Sequence, residues 1–215
     1  SLLLFGDLPT REQLQELVNL AVQQDIALIT DELYDQLVYG VEHVSVPSLP
    51  GSFDRTVLIG GFSKNYAMTG FRIGFLAAPA AIMNGCYKIH QYLIMSAPTI
   101  AQYGAAAAIQ ESQADVIRMR DEYDRRRKFV VESLRAAGLP TVEPKGAFYA
   151  FPKIADTGLT SEAFALSLLD KFKVAVVPGN GFGAGGEGFV RISYATSLER
   201  LEIAMDRINQ FMKSL

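Results

Sequence analysis

Cysteine and histidine are scarce in this sequence. Cys86 is the only cysteine among 215 residues, so no intrachain disulfide can form and a thiolate zinc site lacks its ligands. With only His43 and His90, few nitrogen ligands remain for any metal. A single thiol suits a reducing, cytoplasmic compartment. Neither sign of charge is in excess: 20 Lys and Arg face 23 Asp and Glu, a net charge of −3. The basic footprint of a nucleic-acid or anionic-membrane binder is therefore missing. The apolar opening Ser1 to Gly6 is too short for a secretory leader and has no basic start. Ser1 is not a start residue, so the sequence reads as part of a longer chain. Its longest uncharged stretch, from His90 to Ile109, is broken by Gln91, Ser96, Pro98, Thr99 and Gln102. Those residues argue for a buried or subunit-facing segment rather than a membrane span.

What is present is an ordinary globular balance, 49% hydrophobic and 20% charged, with enough length for a sizeable core. Thr10 and Gln13 form a capping box ahead of Leu14, Leu17, Val18 and Ala21, which predicts a helix to Val22. Three short apolar runs follow, at 26–30, 57–59 and 72–77. Such runs suit strands covered on both faces in a mostly parallel sheet. A long helix is expected from Gln113 to Ala137, ended by Gly138 and Pro140. Its charged stretch, Arg118 to Lys128, mixes both signs and reads as a solvated face. Beyond it, short strands near 148–151, 174–177 and 189–193 alternate with a helix at 161–171. A last amphipathic helix is expected with Thr196 and Glu199 at its cap. The change of texture predicts two domains: an α/β piece over 1–120 and a smaller α+β piece over 121–215.

Ligands in open α/β sheets sit at the carboxyl ends of strands. Asp31 follows the first apolar run directly, and Lys64 lies just after the second, beyond Gly60-Gly-Phe-Ser63. Charge at such places is costly unless it is paired, solvated or used. A structural ion pair is one explanation. The other is chemical: a lysine can form a Schiff base and an aspartate can pair with a pyridinium nitrogen, the two groups that pyridoxal phosphate requires.

The segment Asp31-Glu-Leu-Tyr34, followed by Gly61-Phe-Ser-Lys-Asn-Tyr-Ala-Met-Thr-Gly-Phe-Arg-Ile-Gly74, resembles the core signature of class I/II, fold-type I aminotransferases. Gly146-Ala-Phe-Tyr149 resembles that family's small-domain entry strand. Val177-Pro-Gly179 through Gly188-Phe-Val-Arg-Ile-Ser193 resembles its carboxylate-binding segment. The resemblance runs in order from about Thr10 to the carboxyl terminus. It implies amino-group transfer from an amino acid to a 2-oxo acid through pyridoxal 5′-phosphate, in a cytoplasmic homodimer. By the same resemblance, Lys64 is the Schiff-base lysine and proton carrier, and Asp31 partners the pyridine nitrogen. Tyr34 donates to the ring oxygen, Ser63 and Arg72 hold the phosphate, and Arg191 grips the substrate α-carboxylate.

Taken alone, these residues also have plainer readings. Tyr34 could pack on the sheet, and Arg72 could be a surface arginine beside a strand. Arg191 lies in an apolar strand on the face opposite Val190 and Ile192, and could reach water. Gly181, Gly183 and Gly186 spell G-x-G-x-x-G, but the cluster leads into a strand instead of opening a helix, which argues against a dinucleotide fingerprint. It reads as a flexible loop beside the substrate site. No G-x-S-x-G elbow surrounds Ser63, so a hydrolase is disfavoured. The family's domain is about twice as long. Leu3-Leu-Phe-Gly6 stands where the family carries Asn-Pro-Thr-Gly, with Leu3 in place of the asparagine that holds the ring oxygen. A non-catalytic remnant, or a lyase or synthase on the same scaffold, therefore stays open beside the transferase.

Overall fold

Thr10 caps the first helix, as the capping box predicts. The structure, a computed structural model, describes residues 8–215; the Leu3–Gly6 substitution of the family's turn lies outside them. Thr10 Oγ1 accepts from the Gln13 N–H at 3.3 Å, and Gln13 Oε1 accepts from the Thr10 N–H at 2.9 Å. Two donors that a helix start leaves orphaned are thus satisfied, and helix α1 runs Arg11–Gln23. Two compact units follow, Pro9–Arg120 and Asp121–Leu215, and each is described by itself.

In the first unit, strands β1 (Leu28–Asp31), β2 (Thr56–Gly61) and β3 (Gly74–Ala77) form one sheet in that order. β1 and β2 are parallel, with Asp31 opposite Ile59; β2 and β3 are antiparallel, with Gly61 opposite Gly74. One of the two pairings is therefore parallel. β1 starts two residues later than the apolar run, because α1 is closed first. Asp25 takes a left-handed φ of 49°, and the Ile26 N–H returns to the Ala21 carbonyl at 2.9 Å. β3 likewise starts at Gly74 and not at Arg72, because Arg72 is left-handed (φ 52°) at the end of a 3₁₀ turn over Thr69–Phe71.

The expectation of strands covered on both faces does not hold within this chain: Ile29 is 73% exposed and Phe75 50% exposed. The stretch from His90 to Ile109 is also not buried here. It forms the end of α2 (Ala80–Leu93) and most of α3 (Thr99–Glu111), and Tyr92, Met95, Ile100 and Tyr103 stand out into solvent. Only an alanine stripe of α3 is buried, where Ala105 and Ala108 pack with Phe62 and Met68. Among the described residues no helix is long and apolar enough to cross a membrane.

Helix α4 (Gln113–Ala136) contains the division between the units. In the second unit, α5 (Ser161–Phe172) and α6 (Leu198–Lys213) pack with a small antiparallel sheet of order β4-β6-β5: Tyr149–Ala150, Val190–Ser193 and Val177–Pro178. Leu134, Phe164, Leu168, Val190, Tyr194 and Phe211 centre its core. The last helix is capped by Ser197, not Thr196: Ser197 is extended (φ −63°, ψ 155°) and its side chain accepts from the Arg200 N–H.

The charged stretch of α4 is laced by ion pairs along its own face. Glu122 takes Arg125 at 2.9 Å and Arg126 at 2.8 Å. The hydrogen bonds from these two guanidinium groups pull its pKa down to about 2. A carboxylate whose folded pKa lies below its unfolded value stabilises the fold fully above that unfolded value, 4.5 here, and loses the contribution as pH falls toward 2. An NMR titration of the Glu122 carboxyl is therefore expected to show a midpoint near 2; a midpoint near 4.5 would mean the pairs are not held in solution. Arg127 departs from the solvated-face expectation. It is buried, bonded to Asp124 at 2.7 Å, Glu143 at 2.6 Å and the Pro144 carbonyl at 3.0 Å.

Candidate active site

The register of the first sheet brings four of the sequence-derived residues to one edge. β1 and β2 run parallel and end together, so Asp31 and the segment Phe62-Ser63-Lys64 emerge at the same side. β3 runs the other way and starts opposite Gly61, so the Arg72 turn enters at that side as well. Glycine makes this junction possible: a Cβ on Gly60 would collide with the Phe75 ring, and one on Gly74 would sit 2.9 Å from the Gly60 carbonyl oxygen.

Asp31 is exposed and its Oδ1 accepts from the Leu33 N–H at 3.2 Å; it makes no ion pair among the described residues. The structural ion pair with Lys64 that sequence position allows is thus not formed. Tyr34 is half-buried in the turn after β1, where its carbonyl accepts from the Leu37 N–H at 2.9 Å. Ser63 and Lys64 are half-buried in the turn that leaves β2; the Ala67 N–H bonds back to the Lys64 carbonyl at 3.3 Å, and Ala67 takes a left-handed φ of 53°. Arg72 is exposed. Its guanidinium donates to the Thr69 carbonyl at 2.9 Å and meets no carboxylate among the described residues.

A polar layer holds these turns, and the sequence reading did not find it. Glu32 is buried, with His43 Nε2 at 2.9 Å, the Val46 N–H at 3.0 Å and the Thr30 hydroxyl at 3.1 Å. Burial pushes its carboxyl up, but hydrogen bonds from His43, Ser45 and the Val46 N–H together hold it below the ordinary range. Asn65, also buried, donates to Asp35 Oδ1 and so ties the Lys64 turn to the loop after β1. Burial raises the Asp35 pKa against that bond. Glu32 and His43 stand 11 residues apart, and Asp35 and Asn65 stand 30 apart, so neither pair has a local pattern to reveal it.

Arg191 belongs to the second unit. It is half-buried on β6 between buried Val190 and Ile192, on the opposite face, as alternation predicts. Its Cζ lies 4.3 Å from the centre of the Tyr149 ring and 4.3 Å from that of Phe182. Among the described residues it makes no hydrogen bond or ion pair. The glycine-rich segment beside it, expected as a loop, is built from turns. It folds as two 3₁₀ turns, Gly179–Phe182 and Ala184–Gly186, in which Gly179 and Gly186 cross so closely that a Cβ on either would strike the other's carbonyl oxygen.

The chemistry of this donor set is specific. One sheet edge carries a carboxylate and an arginine that make no ion pair among the described residues, with a lysine and a hydroxyl beside them. The second unit carries another arginine with two ring contacts and no hydrogen bond among the described residues. Such groups fit a phosphorylated pyridine aldehyde and a carboxylate substrate.

The pattern of the family described as aminotransferase class I and II matches residues 5–208. An aspartate aminotransferase of Pyrococcus abyssi is 49% identical over 211 residues, covering 97% of this chain and 54% of that protein. Aromatic-amino-acid aminotransferase 2 of Thermococcus litoralis is 47% identical over 211 residues, with the same 97% and 54% covered. The solved structure of an aromatic aminotransferase from Pyrococcus horikoshii matches with a TM-score of 0.95 at 48% identity, covering 97% of this chain and 56% of that one. An aspartate aminotransferase structure from Thermotoga maritima matches with a TM-score of 0.90 at 41% identity, covering 97% and 54%. The chain spans about half the length of the curated relatives it matches. Its fold is a partial α/β domain of fold type I, and the chain belongs to the class I and II aminotransferase family.

Proposed function

We propose that this chain supplies the lysine-bearing part of a pyridoxal 5′-phosphate-dependent aminotransferase that moves an amino group from an amino acid to a 2-oxo acid. The observation that carries this reading is the convergence of Asp31, Ser63, Lys64 and Arg72 at one sheet edge, where neither Asp31 nor Arg72 has an oppositely charged partner among the described residues. Pyridoxal phosphate, when bound, supplies an electron sink for the bond broken at the substrate Cα. Arg72 and Ser63 would hold its phosphate, with the arginine fork suited to two oxygens at once. Asp31 would keep a proton on the ring nitrogen, and Tyr34 would donate its hydroxyl to the ring oxygen. The Lys64 amine would hold the cofactor covalently at rest and carry the proton from the substrate Cα during turnover. Arg191 would grip the α-carboxylate and fix which Cα bond is presented.

The residues 1–120 would then be part of the large cofactor-binding domain, and 121–215 the small domain. The large apolar side chains that α2 and α3 expose, Tyr92, Met95, Ile100 and Tyr103 among them, support burial against a partner subunit in a homodimer. The single cysteine supports a cytoplasmic setting.

The test uses the full-length protein that carries this chain. With pyridoxal phosphate added, borohydride reduction and peptide mapping are expected to place a stable adduct on Lys64. An adduct on another lysine, or none, would overturn the reading.

A further inference from the structure

Resting on the reading of Arg191 as the carboxylate-binding residue, we propose that Tyr149 and Phe182 are positioning residues that clamp its guanidinium face-on and reserve its edge for a planar carboxylate. The five N–H donors of a guanidinium lie in its plane, while its two faces carry none. Here each ring centre stands 4.3 Å from Cζ, the distance of a close cation–π contact. The rings arrive from opposite sides of β6. Tyr149 stands opposite Ser193 on β4, whereas Phe182 follows β5, where Val177 stands opposite Arg191; β6 lies between those two strands.

Each ring is itself supported. Phe182 meets Phe151 edge-on, with centroids 5.7 Å apart at 71°. Tyr149 meets Phe148 at 4.8 Å, and Phe148 meets Tyr123 at 5.4 Å. The crossing of Gly179 with Gly186 closes the turn that carries Phe182, and the Gly179 N–H bonds to the Phe189 carbonyl at 2.9 Å, one residue before β6. The glycine-rich segment, which matches no phosphate fingerprint, thereby gains a purpose: it brings an aromatic ring onto the arginine.

The clamp has a consequence for selectivity. A carboxylate is planar and can lie in the guanidinium plane with both oxygens bonded. A phosphonate or sulfonate is tetrahedral, so a third oxygen leaves that plane toward a ring face that offers it no donor.

The experiment uses the full-length, cofactor-loaded protein. KM and kcat are measured for an amino-acid donor and a 2-oxo acid, together with inhibition constants for a carboxylate inhibitor and its phosphonate isostere. Phe182→Ala is expected to raise both KM values about five- to tenfold, by more than kcat falls, and to shrink the carboxylate preference by a similar factor. Phe182→Tyr restores both. Phe182→Leu, which keeps bulk but loses the ring, stays impaired, and Tyr149→Leu behaves like it. Wild-type values in Phe182→Leu would mean that packing alone matters, and would overturn the clamp. Arg191→Lys separates the two ideas. If it leaves both KM values unchanged, the carboxylate role of Arg191 fails. If it raises them while every ring variant keeps wild-type values, the clamp alone fails.

Discussion

Replacing Lys64 by alanine is expected to end amino-group transfer in the full-length protein without unfolding it. Lys64 lies in a turn fixed by backbone bonds, including the Ala67 N–H to the Lys64 carbonyl at 3.3 Å, and by Asn65 anchored on Asp35; none of these uses the lysine amine. The turn should therefore keep its shape. What disappears is, among the described residues, the one lysine of this sheet edge, and with it the group proposed to carry the Cα proton. Proton transfer by a positioned group accounts for about 10²–10⁴ in rate, so turnover should fall by at least that much. Pyridoxal phosphate should still bind through Asp31, Ser63 and Arg72, but reversibly, and borohydride should no longer trap it. Steady-state rates together with cofactor retention on gel filtration check this. Turnover within tenfold of wild type would remove Lys64 from the chemistry.

The second large effect is expected at Arg191. Lysine keeps the charge but presents a point donor in place of a planar fork. Arg191→Lys should raise KM for amino acid and oxo acid alike by about 10–10², the size of one or two charge-assisted hydrogen bonds of about 1.5–3 kcal/mol. Cofactor content should not change, because the residues proposed to hold the cofactor, Asp31, Ser63, Lys64 and Arg72, all belong to the first unit, whereas Arg191 belongs to the second. Loss of cofactor in step with the rise in KM would contradict the assignment.

The sequence made some of this legible and hid the rest, for physical reasons. Position alone marks Asp31 and Lys64 only as charges just after apolar runs, which an ion pair or solvent explains as well; the proposed roles come from the resemblance, and Gly60, Gly61 and Gly74 mark the crowded junction around them. Arg191 was readable from alternation on β6. Arg72 was misplaced by two residues, since its left-handed backbone is dictated by the turn before it and leaves no mark in hydropathy. Ile26 was drawn out of the strand by the bond that closes α1. Thr196 and Ser197 are both sound caps by type, and only the backbone geometry decides for Ser197. Phe182 sits in a run of glycines with no period, so nothing local announces that it meets an arginine nine residues later. The pairs Glu32–His43 and Asp35–Asn65 depend on contacts between separate loops.

The crossing of Gly179 and Gly186 sets unequal tolerances along one short loop, which matters to anyone who would diversify it. At 179 and 186 even alanine meets backbone, so a randomised library spends those codons on misfolded members. Gly183, at a φ of +117°, resists any L side chain on conformational grounds. Gly181 and Gly185 differ: a Cβ at either meets nothing within 4 Å. Gly181 directly precedes Phe182 and Gly185 follows three residues later, so they are the places to graft new side chains on this loop while the crossing that carries the ring is kept.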